Sequence, residues 1–131
     1  NDEAGGEGAI LIVDDDPDIR SALARILKNE GHTVLSAADG PSAIAQTLSH
    51  RPALLVLDYM MPGMDGEMVL DALRRELHDA APPALLMTAC GFQQQRAAEI
   101  GAVQGLEKPF RVSELLALVA RHLKREEREA S

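Results

Sequence analysis

The 131-residue sequence has no tryptophan, one tyrosine, two phenylalanines and one cysteine. Since 46% of the residues are hydrophobic and 2% are aromatic, the core must be built from aliphatic side chains. The single cysteine, Cys90, excludes an internal disulfide and favours a reducing compartment. The apolar runs, about five residues long, are too short to cross a membrane, and the chain start lacks the features of a signal peptide. We therefore expect a cytoplasmic protein without membrane contact.

Positive charge is also scarce, because 13 lysines and arginines face 21 acidic residues, giving a net charge of −8. An acidic domain repels nucleic-acid phosphates, so we expect no direct nucleic-acid partner. The same charge is compatible with capture of a divalent cation. The length fits one domain. We predict a disordered lead-in over residues 1–8, a domain over 9–124, and a charged tail or the start of a linker over 125–131.

Short apolar runs alternate with helical patterns along the domain. Strands are predicted at 9–13, 33–37, 53–57, 84–87 and 102–106. Continuous apolar runs such as ALLVL are typical of strands buried on both faces of a parallel sheet. Asp16 and Pro17 suit the start of the first helix, and the fourth helix is predicted over roughly 92–100. Five βα units in this order predict an α/β protein: a (βα)5 doubly wound parallel sheet in a three-layer sandwich.

Polar residues stand where the predicted strands end. Three aspartates at 14–16 follow the first strand, and Asp58, Thr88 and Lys108 follow the third, fourth and fifth. The carboxyl ends of such strands meet in one crevice. Clustered carboxylates repel each other, and Mg²⁺, which prefers oxygen ligands, relieves that repulsion. A carboxylate beside Mg²⁺ is a competent nucleophile for phosphoryl transfer.

Each of these residues also has an ordinary interpretation when taken alone. The three aspartates can be a helix cap with two solvated neighbours, and Asp58 can be a turn residue at a strand end. Thr88 can be a β-branched strand residue, and Lys108 can belong to a plain loop. The combination of the four features at four strand ends favours the phosphoryl-transfer site.

Four segments of the chain resemble the receiver domain of two-component response regulators, in particular receivers of the chemotaxis-regulator type. They are ILIVDDDPDIR at 10–20, LLVLDYMMPGMDG at 54–66, LLMTA at 85–89 and KPF at 108–110. The resemblance implies a flavodoxin-like fold with strand order 2-1-3-4-5. It also implies a signalling module rather than an enzyme, which assists only its own aspartyl phosphorylation and dephosphorylation.

The resemblance implies a role for each acidic residue. Asp58 would accept a phosphoryl group from a sensor histidine kinase or a phosphotransfer protein. Asp15 would bind Mg²⁺ directly and Asp14 partly through water, with Asp58 and the backbone carbonyl of Met60 as further ligands. Asp16 is better placed as a helix cap than as a metal ligand.

The resemblance also assigns the residues that contact the phosphoryl group. Thr88 would donate a hydrogen bond to it and move with it. Lys108 would pair with a phosphoryl oxygen, and its peptide bond to Pro109 would be cis. In the loop MMPGMDG, Gly63 and Gly66 are expected to permit backbone conformations that other residues resist.

The chain departs from the family pattern three positions before the lysine, where the family usually has a switching aromatic residue and this chain has Gly105. One hypothesis is a switch that acts through backbone shifts of the loop after Thr88 and of the fourth helix. The alternative is a docking module that works without phosphorylation. In either case the usual interface, helix 4, strand 5 and helix 5, would bind a homodimer partner or an output protein. Its candidate residues are Gln93, Gln94, Arg96, Arg111 and Arg121.

Met60 and Cys90 lie two positions after Asp58 and Thr88, where side chains flank the path of the hydrolytic water. Methionine and cysteine orient water poorly, so we predict slow self-dephosphorylation. Met60 also argues against a Mg²⁺-dependent phosphatase with an aspartyl nucleophile, because such enzymes need a second acid at this position.

Overall fold

The computed structural model describes residues 8–89 and 91–130, with residues 124–130 described by their backbone alone. Most of the predicted lead-in therefore lies outside the described residues, as do Cys90 and Ser131. The strands are β1 (Ile10–Val13), β2 (Val34–Ala37), β3 (Leu54–Asp58), β4 (Ala84–Thr88) and β5 (Gln104–Glu107). The helices are α1 (Pro17–Asn29), α2 (Gly40–His50), α3 (Gly66–Leu77), α4 (Gln94–Ile100) and α5 (Val112–Ala130), and a 3-10 turn over His78–Ala80 follows α3.

All five strands are parallel and form one sheet in the order β2-β1-β3-β4-β5. This confirms the predicted flavodoxin-like α/β fold. Every residue of β1, β3 and β4 is buried, as expected for apolar strands covered on both faces. The carboxyl ends of these strands therefore open at the same edge of the sheet, next to each other.

Two clusters of buried side chains fill the space between the sheet and the helices, one on each face of the sheet. One joins Leu11 and Val13 of β1 to apolar residues of α2, α3 and α4. The other joins Ile10 and Ile12 to apolar residues of α1 and α5. Alternate residues of one strand thus serve opposite layers, which produces the predicted three-layer sandwich.

Aspartate side chains begin three of the helices. The Oδ1 atom of Asp16 accepts from Asp18 N at 2.9 Å, which confirms Asp16 as the cap of α1. At the start of α2, Asp39 Oδ1 accepts from Ser42 N at 2.9 Å, and at the start of α3, Asp65 Oδ1 accepts from Met68 N at 3.0 Å. Each cap satisfies a helix amide that has no partner within the helix.

The predicted bounds differ from the structure around α4 and β5. Helix α4 begins at Gln94 rather than 92, because Phe92 belongs to a turn in which its N–H donates to Ala89 O at 3.1 Å. Strand β5 begins at Gln104 rather than 102, because Gly101 (φ +112°) and Ala102 complete the end of α4. At the carboxyl end, α5 continues through 125–130 of the predicted tail. Among the described residues, no helix is both long and apolar enough to span a membrane.

Candidate functional site

The polar residues predicted at the strand ends come together at the carboxyl edge of the sheet. Asp14 follows β1, Asp58 ends β3 and Thr88 ends β4, and all three are buried. Lys108 follows β5 and is partly exposed. Because β1, β3, β4 and β5 are consecutive in the sheet, these residues form one row along its edge.

Three carboxylates form the acidic part of the site. Asp14, Asp15 and Asp58 each offer an oxygen, and these oxygens lie within 4.8 Å of one another. Asp14 and Asp58 are buried and Asp15 is exposed, so the cluster opens to solvent on one side. Hard oxygen ligands at this spacing fit a dication such as Mg²⁺.

The backbone and side chain of Asp14 are held from two directions. Its Oδ1 atom accepts from Asp16 N at 2.9 Å, and its carbonyl oxygen accepts from Arg20 Nη1 at 2.8 Å. Its Oδ2 atom is buried and has no hydrogen-bond partner among the described residues. A buried carboxylate oxygen without a hydrogen bond is costly, and a bound cation would satisfy it.

Asp58 receives its two contacts on one oxygen. Met60 N and Lys108 Nζ both donate to Oδ1, each at 3.3 Å. Burial raises the pKa of Asp58 above its usual 3.8, and the neighbouring charge of Asp14 raises this pKa further, while Lys108 and the Met60 N–H act in the opposite direction. The net rise means that without a cation this carboxylate is held in a site that disfavours its charge.

Lys108 connects the two buried carboxylates. Its Nζ atom lies 3.3 Å from Asp58 Oδ1 and 3.8 Å from Asp14 Oδ2. Its backbone N–H donates to Thr88 O at 2.7 Å, which fixes the residue to the end of β4. The Lys108–Pro109 peptide bond is cis, as predicted.

The loop after β3 surrounds the mouth of the site. The side chain of Met60 is 68% exposed, so it stands in solvent beside the carboxylates. Gly63 has a φ of +80°, which confirms the predicted need for backbone freedom. At Gly66 the predicted reason does not apply, because its φ is not positive. A glycine is needed there because a side chain would lack space. A Cβ there would lie 3.0 Å from Tyr59 Cα and 3.1 Å from Asp58 O.

Sequence patterns did not predict three contacts near the site. One is the bond from Arg20 to the carbonyl of Asp14. The second is the tilted stacking of Tyr59 on Phe92, with ring centroids 4.9 Å apart. The third joins the side-chain amide of Gln94 to the backbone of Gly105. The scarcity of aromatic residues was the one available signal, since two of the three are paired here.

Comparison with known proteins agrees with this geometry. The family model for the response regulator receiver domain matches residues 10–120. The chain is 40% identical over 121 residues to the DNA-binding dual master transcriptional regulator RpaA of Synechocystis, covering 91% of this chain and 50% of that protein. It is 43% identical over 118 residues to the response regulator MprA of Mycobacterium ulcerans, covering 88% and 50%. The chain thus spans about half the length of these curated relatives.

Solved structures show the same similarity. The receiver domain of NtrX from Brucella abortus is 34% identical with a TM-score of 0.79, and the match covers 88% of this chain and 98% of that one. The chemotaxis protein CheY4 of Vibrio cholerae is 30% identical with a TM-score of 0.80, again covering 88% and 98%. This chain therefore belongs to the receiver domains of two-component response regulators, a family of signalling modules.

Proposed function

We propose that Asp58 accepts a phosphoryl group from a sensor histidine kinase or a phosphotransfer protein, with Mg²⁺ bound beside it. One observation carries this proposal: three carboxylates offer oxygens within 4.8 Å of one another, and the ammonium group of Lys108 lies 3.3 Å from Asp58. A carboxylate nucleophile, a cation site and a fixed positive charge are the parts that phosphoryl transfer to an aspartate requires.

The carboxylates of Asp14, Asp15 and Asp58 would hold Mg²⁺, together with the backbone carbonyl of Met60. The buried Oδ2 atom of Asp14 supports this assignment, because it has no hydrogen bond and its ion pair with Lys108 is long, at 3.8 Å. A bound ion would neutralise the clustered carboxylates and the charge that develops on the phosphoryl oxygens. Asp58 would then stay ionised and nucleophilic despite its burial and the neighbouring charge of Asp14, which raise its pKa.

The residues of this chain then position the reacting group. A carboxylate oxygen of Asp58 forms a bond to phosphorus as the nitrogen–phosphorus bond of the donor phosphohistidine breaks, and the imidazole leaves with the electron pair. Lys108 shifts its ammonium group from Asp58 Oδ1 to a phosphoryl oxygen. The hydroxyl group of Thr88, on the adjacent strand end, donates to another. Both residues stabilise charge without exchanging a proton with the donor.

The partners that we propose are those expected of a member of this family. Binding of an output protein or a second receiver would use α4, β5 and α5. The five candidate residues there are all exposed: Gln93, Gln94, Arg96, Arg111 and Arg121. The net charge of −8 supports a receiver that does not itself contact nucleic acid. The DNA-binding name of RpaA describes a protein of which this chain matches 50%. We place the domain in the cytoplasm, where histidine kinases have their ATP.

The test is labelling by acetyl phosphate with Mg²⁺, followed by intact-protein mass spectrometry. We expect the wild type to gain one phosphoryl group, and Asp58→Asn to gain none. Asp71→Asn is a matched control, because Asp71 is exposed on α3 and should leave labelling unchanged. A wild type that gains no label, but still binds its partner, would instead support the phosphorylation-independent docking module.

A further inference from the structure

Gln94 of α4 forms a two-point contact with Gly105 of β5, which we call the clasp. Gly105 N donates to Gln94 Oε1 at 2.9 Å, and Gln94 Nε2 donates to Gly105 O at 2.9 Å. Within the part of the chain that the structure describes, strand β5 lies at the edge of the sheet and pairs only with β4. The amide of Gln94 therefore satisfies backbone groups that a further strand would otherwise have to bond.

The clasp lies directly against the position that a side chain at residue 105 would occupy. A Cβ there would lie 3.4 Å from both amide heteroatoms of Gln94 and 3.5 Å from Ala97 Cβ. These are ordinary van der Waals distances, so a Cβ would fit, but it would already touch Gln94 and Ala97 and leave little room for further side-chain atoms on that side. Where the family usually has a rotating aromatic ring, this chain has a hydrogen-bonded connection between strand and helix.

The clasp is the last of three connections between two segments: one runs from the end of β4 to the start of α4, and the other comprises β5 and Lys108. Lys108 N donates to Thr88 O at 2.7 Å, the carboxylate of Glu107 accepts from Gly91 N, and Gln94 pairs with Gly105. From Thr88 through Gly91 to Gln94, the bonded partners occupy successively earlier positions, from Lys108 through Glu107 to Gly105. The residues proposed to contact the phosphoryl group are thus connected to the first turn of α4 through the backbone of one short strand.

Few other contacts hold α4, which has seven residues. Its buried side chains are Ala97 and Ile100. At its carboxyl end, Arg74 Nη2 donates to Ile100 O at 3.1 Å, and on its surface Arg96 pairs with Glu67. A short helix with so little buried surface can shift as a unit when its connections to β5 move.

We propose that Gln94 is a positioning residue that couples the state of Asp58 to helix α4, an inference that rests on the proposed phosphorylation of Asp58. A phosphoryl group attracts the side chains of Thr88 and Lys108 and so displaces the ends of β4 and β5. The clasp transmits this displacement to α4. Without it, Asp58 accepts the phosphoryl group but α4 does not respond.

The experiment compares the wild type with Gln94→Ala and with Gln95→Ala as a matched control. Gln95 occupies the next position of the same helix turn, and its side chain contacts Glu99 rather than β5. We would record amide NMR shifts of residues 96–100 with and without beryllofluoride and Mg²⁺. Acetyl phosphate labelling of the same samples measures acceptance at Asp58. A second variant, Gln94→Glu, keeps the side-chain size but loses the donor to Gly105 O, so it serves if Gln94→Ala does not fold.

We expect the wild type and Gln95→Ala to show shifts at 96–100, and both Gln94 variants to take up label normally while losing most of those shifts. The inference is overturned if folded Gln94 variants keep the full shifts, or if a labelled wild type shows none. A wild type that takes up no label overturns the proposed function itself, and this inference with it.

Discussion

Replacement of Asp58 by asparagine should make the metal-free domain more stable. Asp58 is only 5% exposed, and burial is the largest cause of its raised pKa, followed by the charge of Asp14. The folded protein therefore holds ionised Asp58 at a cost, although Lys108 and the Met60 N–H reduce that cost. Asparagine keeps the shape of the side chain and removes the charge.

The size of the gain follows from opposing terms. Two carboxylates at the 4.8 Å limit of the cluster repel each other by about 3.5 kcal/mol at an effective dielectric constant of about 20. Lys108 at 3.3 Å attracts Asp58 by about 5 kcal/mol on the same scale, but its side chain is 34% exposed and solvent screens the attraction. Burial of the ionised carboxylate costs roughly several kcal/mol more, which outweighs the screened attraction of Lys108 and reverses the sign of the sum. We expect Asp58→Asn to gain about 1–3 kcal/mol, with Tm rising by roughly 3–5 °C per kcal/mol.

The pH dependence of this gain has a definite sign. A carboxylate whose pKa is raised on folding contributes stability below its usual value of 3.8, and that contribution is lost as pH rises through the folded pKa. Asp58 is protonated in both the folded and unfolded states at low pH. The advantage of Asp58→Asn should therefore be smallest near pH 3 and should grow as pH rises above 3.8.

Urea denaturation monitored by circular dichroism, in EDTA and between pH 3 and 7, measures this difference. Asp71→Asn serves as a control for loss of one exposed carboxylate. Added Mg²⁺ should then stabilise the wild type more than Asp58→Asn, because binding to the folded state adds to its stability. The reasoning fails if Asp58→Asn is no more stable than the wild type at pH 7 in EDTA, or if its advantage is equally large at pH 3.

Three further substitutions test the site, and a fourth, Gly31→Ala, is the control for one of them. Lys108→Met removes the ammonium group 3.3 Å from Asp58, so labelling by acetyl phosphate should slow by roughly 10²-fold; an unchanged initial rate would contradict this. Gly66→Ala places a Cβ 3.0 Å from Tyr59 Cα and should cost about 1–3 kcal/mol while weakening Mg²⁺ binding. Gly31→Ala, in open space at φ +93°, should lower stability in urea but leave Mg²⁺ affinity unchanged. Met60→Glu adds a water-orienting group and should shorten the lifetime of the aspartyl phosphate at least about tenfold, measured by loss of label; an equal or longer lifetime would show that Met60 does not limit hydrolysis.

The fold could be predicted where the sequence pattern had one physical explanation. The apolar runs of β1, β3 and β4 are buried on both faces, and their strands were correctly placed. The predicted start of β5 was two residues too early, because its sequence QGLE carries little apolar signal and the neighbouring Gly101 closes α4. The predicted helical start at 92 was wrong because the N–H of Phe92 donates to Ala89 O in a turn, with its ring packed on Tyr59.

The part of the site that could be predicted consists of the residues at the ends of neighbouring parallel strands. Asp14, Asp58, Thr88 and Lys108 follow strands that are neighbours in the sheet, so their proximity is a consequence of topology. The contacts of Gln94 with Gly105 and of Arg74 with Ile100 O could not be predicted. They join residues 11 and 26 positions apart and depend on how α4 is placed against its neighbours.

The position of the single tyrosine has a spectroscopic consequence. Since the chain has no tryptophan, Tyr59 is its only strong near-ultraviolet fluorophore. Its ring lies 4.9 Å from Phe92, and its backbone directly follows Asp58. The emission of the unlabelled domain thus originates beside the acidic cluster, so titration with Mg²⁺ or beryllofluoride can be followed by intrinsic fluorescence, without introducing a dye.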